Sequence, residues 1–449
     1  MFSAIFMSLT ALAIVPLLFL NPRVLLSVTT ILLVVQLNWF VRFTSAPNIV
    51  GQIGLLLGCL LGGRVFIYLM FTKKLRKGPL ANFVLLIILL IILTVFSALV
   101  NEENIILGLF ELRFYYLSIF LAFGIYIYGG EKVSIDFFKK FIVVIAVVQI
   151  PITLIQYLLA GGGEYKTLDI VTGTFAVYPE LISCQLLAIG LLLLNKIRYR
   201  KNILAYNSYF LMFILLLPIL LSNSRSASGF LLIVLIITWG IAVRGQSINL
   251  RVKSLLVVAT ISLISVVIMY YLFWNNRGFN YQLNLTFVFD YYMRPSLDDY
   301  DRYLRGSDPV MGRARAIVES IKLIKESTSN MLLGYGSGAV SDSAFLAMEG
   351  EKFQEFGPLA GLGRNQYSKI IVENGLIGLL LFLGFFMSIN KSIRKLGARG
   401  IEILDVYYVL VTMILIMSFY GMTIGTYIYV VAISMLLPII QTEKDKIRL

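Results

Sequence analysis

The residues of this sequence best suited to chemistry are arginines set at the edges of apolar runs. Arg225 stands in LLLSNSRSASGFLLIV, where a Ser/Asn-rich turn joins two apolar stretches. Arg313 and Arg315 open GRARAIVES, and Arg364 precedes the long apolar run of NQYSKIIVENGLIGLLLFLGFF. Free N–H groups at a helix start, small hydroxyls and a guanidinium together make an anion site, and the guanidinium fork matches phosphate oxygens. The plain alternatives are a polar turn for Arg225, a solvated basic face for Arg313 and Arg315 (it suits Arg315 better), and an interfacial anchor for Arg364. Asn365 and Tyr367, beside Arg364, are candidates for contacting the same ligand. The chain has no histidine, so proton transfer falls to carboxylates. Glu180 in FAVYPELISC reads either as a general base or as a structural partner of one of the arginines. Glu373 and Glu349 stand behind it as bases.

Other charges lie deeper in apolar runs, where they are expensive and mark sites. Arg64, in LGGRVFIYLM, reads equally as an arginine paired inside a bundle and as a ligand of a phosphate or lipid head group. Glu111 and Arg113, in LFELRFYYLS, are two apart. On a continuous helix they point to different faces, so each is expected to pair with another helix. Lys369 and Glu373 have i,i+4 spacing and can pair with each other. Asp299-x-Asp301 has the form of a metal and sugar-nucleotide motif, but a solvated acidic loop is the better reading. GYGSG lacks the Lys-Ser/Thr of a phosphate loop and carries little information. Cys59 and Cys184 fall inside apolar runs and read as small buried hydrophobes.

The elements that must position these residues are membrane helices. Of 449 residues, 59% are hydrophobic and 14% charged, with mean hydropathy +0.88. A soluble domain carries about 25% charge. Apolar runs long enough for a bilayer fall at about 2–20, 24–42, 49–71, 80–100, 105–128, 141–160, 174–195, 208–222, 227–243, 254–274, 366–389, 404–421 and 423–440. The expected fold is therefore an all-α polytopic membrane protein with about 13 spans, twelve to fourteen at the limits. The first run lacks a basic flank and a cleavage site and reads as a membrane helix rather than a signal peptide.

The net charge of +14 is not a nucleic-acid signature. It sits in short loops at 73–77, 196–201, 244–253 and 391–399, which the positive-inside rule places in the cytoplasm. This orientation puts the C-terminus inside and the N-terminus outside. The division is residues 1–274 as an N-terminal bundle, 275–365 as a large outer loop, and 366–449 as C-terminal helices with a short tail. The loop is nearly neutral, with ten Lys/Arg and eleven Asp/Glu. Within it, VMGRARAIVESIKLIKESTSN places Ile317, Val318, Ile321 and Ile324 on one face, an amphipathic helix lying on the membrane surface or over a cavity.

Four stretches in this order resemble the O-antigen polymerase and ligase family (Wzy/WaaL-like membrane glycosyltransferases): TGTFAVYPELIS, LSNSRSASGFLLI, GRARAIVESIKLIKESTSNMLLGYGSG and RNQYSKIIVENGLIGLLLFL. They span about 170–385; the residues before them match only as a string of helices. The resemblance implies a GT-C-like bundle with a large periplasmic loop, in the bacterial inner membrane. The implied substrates are glycans on undecaprenyl pyrophosphate, with a chain-length regulator as a further possible partner. Arg225 and Arg313 match the family's anion-binding arginines. Where typical ligases keep a histidine before the Asn, this chain has Arg364, which favours a polymerase over a ligase. Arginine charges neutralise a departing pyrophosphate without metal, nucleotide or other cofactor. The expected activity is repeat-unit polymerisation. The rivals are a ligase acting on a terminal lipid acceptor and a flippase that cleaves nothing.

Overall fold

The computed structural model describes residues 21–36, 53–72, 78–130, 133–159, 171–175, 178–222, 227–273, 312–343, 348–356, 362, 365–421 and 426–448. The chain is a predominantly helical membrane protein. Among the described residues six helices are long and apolar enough to cross a membrane, or seven if one bent pair forms a single span. The first apolar run, Arg225, Asp299, Asp301 and Arg364 lie outside the described residues.

The N-terminal helices are α1 (Pro22–Val34), α2 (Ile53–Thr72), α3 (Pro79–Val100), α4 (Ile105–Glu111), α5 (Arg113–Gly124, continued by a π turn to Gly129) and α6 (Ile135–Leu159). After them come α7 (Tyr178–Arg198), α8 (Ser208–Leu221), α9 (Ala227–Ala242) and α10 (Ile248–Phe273). The described part of the long loop holds α11 (Arg313–Ile324), α12 (Thr328–Leu333), a two-stranded hairpin of β1 (Asp342–Ser343) and β2 (Met348–Glu349), and α13 (Glu351–Phe356). The chain ends with α14 (Gln366–Arg394), α15 (Ile401–Tyr420) and α16 (Tyr427–Arg448). Asparagine side chains start several helices: Asn21, Asn104 and Asn207 each accept from the N–H groups of the first turn.

Helix α7 is the axis of the bundle, with 89% of its apolar window buried. It contacts α6, α8, α9 and α15. At one end the basic segments meet. Arg198 pairs with Asp405 at 3.1 Å and also donates to the Arg244 carbonyl, and the Arg244 guanidinium lies over the Tyr408 ring. Lys139 is buried there against Glu402 (2.5 Å), Asp136 (2.8 Å) and Asn195 (2.9 Å), which explains how a lysine enters an apolar run. The opposite, loop end holds the start of α7, the end of α15 and residues 312–343 and 348–356.

Lipid tails are as apolar as leucine, so close contact between helices depends on small residues. Gly58 and Gly62 sit four apart where α2 packs on α5. A methyl group on Gly58 would stand 2.1 Å from Leu117 Cδ1, and one on Gly62 2.4 Å from the Phe120 ring. Gly62→Leu is expected to destabilise the protein by about 1–3 kcal/mol, through overpacking. Thermal unfolding in detergent reads the loss. An unchanged midpoint would show that the α2–α5 seam is loose.

The sequence pattern and the structure differ in two places. The run expected as one helix over 105–128 is broken at Leu112, where α4 and α5 meet at 43°. The inward face of the amphipathic helix α11 is shifted from the expected one. Ile324 is buried and Ile317 partly buried, as expected, but Ala316, Ser320 and Leu323 complete that face, while Val318 and Ile321 are 36% and 39% exposed. Small Ala316 and Ser320 let the backbone approach α14. Glu319 is tolerated on that buried face because Arg315 and Lys322 both pair with it.

Candidate functional site

The loop end is organised by a break in α14. Gly375 adopts φ 58° and ψ −157° inside an otherwise continuous helix. The break frees carbonyls of the preceding turn, and a crossing segment takes them: Tyr335 N–H donates to Val372 O at 2.8 Å and Gly336 N–H to Glu373 O at 3.0 Å. The crossing segment is GYGSG, residues 334–338. Its job is to supply backbone donors to a broken membrane helix. Ser97 and Asn101 on and after α3 hold Gly334 O, both at 3.0 Å, and Ser337 bridges Thr94 to Asn374 with 2.9 Å bonds.

This interlock places a buried charge cluster. Lys369 Nζ bonds Glu111 Oε2 at 2.5 Å and Ser341 Oγ at 2.6 Å, and lies 3.7 Å from Glu373 Oε1. Ser341 Oγ donates to Glu373 Oε1 at 3.1 Å. Glu111 gives its other oxygen to Arg113 Nη1 at 3.0 Å. The expectation that Glu111 and Arg113 each pair with another helix is half corrected. Glu111 reaches α14, but it also pairs with Arg113, because the break at Leu112 lets residues two apart meet. The expected i,i+4 pair of Lys369 and Glu373 is present, though Lys369 lies closer to Glu111.

Asn365 is fully buried and caps α14, its Oδ1 accepting from Ser368 N at 2.8 Å. Its Nδ2 donates to the carbonyl of Arg313 at 2.9 Å. Asn365 thus ties the first residue of the loop helix to the first turn of α14. Asn365→Ala removes both bonds and is expected to cost about 1–2 kcal/mol. It should also raise protease sensitivity within 312–356 before the rest of the protein opens. Cleavage that begins elsewhere would contradict the tie.

Glu180, 2% exposed in the first turn of α7, accepts from Gln36 Nε2 at 2.9 Å and from Tyr427 N at 3.2 Å. The second donor is one of the free N–H groups at the start of α16. Gly421, whose carbonyl accepts from Gln366 N at 3.1 Å, packs beside Pro179. The starts of α7 and α14 and the end of α15 therefore adjoin. Tyr367 is half-buried, with its hydroxyl on Leu415 O at 2.9 Å.

Arg315 pairs with Glu319 at 2.6 Å within its own helix. Arg64 lies farther along α2, within electrostatic range of Tyr128. Glu349 is exposed on β2. Glu103, outside the spans, accepts from Glu351 N at 3.3 Å, and burial holds its carboxyl above the ordinary range. Beneath the break lies a cavity of about 40 Å³, lined by Tyr115, Ser118, Asn374, Phe382 and Phe386 among others. It holds a few waters at most and is too small for a sugar or a lipid chain. Among the described residues no three acidic or cysteine side chains gather as a metal site requires.

Two features of this site escape a motif reading: the interlock of GYGSG with Glu373-Asn374-Gly375, and the position of Arg113. An Asn-Gly pair inside an apolar helix is the signal that would have found the first. Compared with known proteins, the chain matches no family model, and no curated protein is significantly similar to it.

Proposed function

We propose that the protein is a polysaccharide repeat-unit polymerase of the O-antigen or capsule type. It would act at the periplasmic face of a bacterial inner membrane, with about thirteen spans and the 275–365 loop on the outer side. It transfers a growing glycan from undecaprenyl pyrophosphate to a sugar hydroxyl on a second carrier-linked repeat unit. The bond between the anomeric carbon and the pyrophosphate oxygen breaks. A bond from the acceptor oxygen forms, the acceptor's proton passes to a carboxylate, and the electron pair leaves with the pyrophosphate. Because the leaving group is already activated, the protein must neutralise its charge and position the acceptor.

The observation that carries this reading is the bond from Asn365 to the Arg313 carbonyl. It joins the first residue of the loop helix to the cap of α14, at the end of the bundle where Glu180 also lies; Arg225 and Arg364 are assigned to that end from the sequence alone. Arg225, Arg313 and Arg364 take the pyrophosphate charge, and Glu180 takes the proton. Lysine clusters at the opposite end fit a cytoplasmic face.

Arg225→Ala and Arg364→Ala are each expected to lower glycan polymerisation by the 10²–10³-fold typical of losing a transition-state donor, with normal yield of folded protein. Gel analysis of products from carrier-linked repeat units reads this. Full activity in both variants removes the site assignment.

A further inference from the structure

Arg113, partly exposed, lies at the break between α4 and α5, inside a bent pair that is apolar enough to form one membrane span. A guanidinium in such a segment is costly unless its N–H groups find partners. One nitrogen is fully used: Nη1 donates to Glu111 Oε1 at 3.0 Å and to Phe110 O at 3.1 Å. Two aromatic rings pack against the group, Phe110 at 4.2 Å and Phe114 at 4.7 Å. Among the described residues Nε and Nη2 have no acceptor. These two N–H groups form the side-on fork that meets two oxygens of one phosphate or carboxylate.

Neither Glu111 nor Glu180 fills that fork. Glu111 cannot turn to it, because its second oxygen is held by Lys369 at 2.5 Å. Glu180 is held by Gln36 and the Tyr427 N–H. Tyr427, whose ring meets Phe114 edge-on at 5.3 Å, lies within electrostatic range of both Arg113 and Glu180. Arg113 and the carboxylate proposed as base thus share Tyr427 as a neighbour. The two ring contacts restrict the guanidinium, so an arriving anion meets a donor pair that is already partly ordered.

We propose that Arg113 binds two oxygens of a pyrophosphate through its Nε and Nη2, as a further binding residue of the lipid-linked substrate. The identity of the anion rests on the glycan-transfer reading; the open fork does not. Local charge is balanced, with Arg113 and Lys369 against Glu111 and Glu373, so recognition comes from fork geometry rather than from excess charge. Lysine in place of arginine would keep the charge and the contact with Glu111 but lose the fork.

The test is binding of farnesyl pyrophosphate, inorganic pyrophosphate and farnesol to the purified full chain in detergent, for wild type, Arg113→Lys and Arg113→Gln. Wild type should bind farnesyl pyrophosphate and not farnesol. Both variants should weaken that binding about tenfold or more, one good charge-assisted pair. Inorganic pyrophosphate binding as tightly as the farnesyl form would make the source a free anion; weaker binding would make it a lipid. Either result supports the fork provided it depends on Arg113. Wild-type affinity in Arg113→Lys overturns the proposal, as does no pyrophosphate binding to wild type. Polymer synthesis by the same preparations separates the two readings. Polymer made while Arg113→Lys binds normally sinks only the Arg113 assignment. Arg113-dependent binding without any polymer sinks the polymerase and leaves the anion site.

Discussion

Lys369→Met unfolds at a markedly lower temperature than wild type in detergent, with an expected loss of about 3–5 kcal/mol. The side chain sits between two buried carboxylates, Glu111 at 2.5 Å and Glu373 at 3.7 Å. Removing it leaves Glu373 with only neutral donors, Ser341 Oγ among them, in a place 3% exposed. An uncompensated charge in such a site costs far more than a surface charge. The comparison is Lys322→Met on the loop helix. Lys322 is 55% exposed where it pairs with Glu319, and its loss is expected to change stability by roughly 0.5 kcal/mol or less. Adding Glu373→Gln to Lys369→Met should restore much of the loss, since a neutral amide can keep the serine bond. Equal stability of Lys369→Met and wild type would mean that the cluster is not buried as described.

Gly375→Ala is the second large effect, expected at about 3 kcal/mol or more. Gly375 lies in a backbone region open essentially to glycine alone, where other residues cost roughly 1–3 kcal/mol. The added methyl would also stand 2.5 Å from Leu332 O and 2.6 Å from Gly334 N, both backbone atoms that cannot move aside. Gly334→Ala meets the same obstacle from the other strand of the interlock, with its methyl 2.5 Å from Asn374 N. Either substitution should release residues 334–338 from α14 and abolish polymer synthesis. Gly384→Ala, farther along the same helix with nothing within 4 Å, should instead be neutral or stabilising by up to about 1 kcal/mol. If Gly375→Ala behaves like Gly384→Ala, the break is not maintained by the crossing segment.

Much of the architecture could be read from apolar runs, because a bilayer leaves the backbone few options besides the helix. The runs at 80–100, 174–195 and 404–421 correspond to α3, α7 and α15 within a few residues. Hydropathy averages over the breaks at Leu112 and Gly375, since the longer runs on either side stay apolar despite the charged and polar residues next to each break. Those two breaks are what bring Glu111, Arg113, Lys369 and Glu373 together, so the charge cluster was invisible as a cluster. Asn365 was legible as a polar residue before an apolar run, but its role as the cap of α14 was not. The face of α11 was half legible: Ile317 and Ile324 turn inward as expected, but Ala316 and Ser320 take the closest approach, where small size counts for more than hydrophobicity.

The central claim is that this bundle joins glycans rather than moving them. Purified full-length protein is incubated with undecaprenyl-pyrophosphate-linked repeat units, without metal or nucleotide. The account predicts a ladder of chain lengths, with free undecaprenyl pyrophosphate released in step with each bond formed. Intact substrate after prolonged incubation with folded protein would contradict it, and a single transfer to a terminal lipid would replace the polymerase with a ligase.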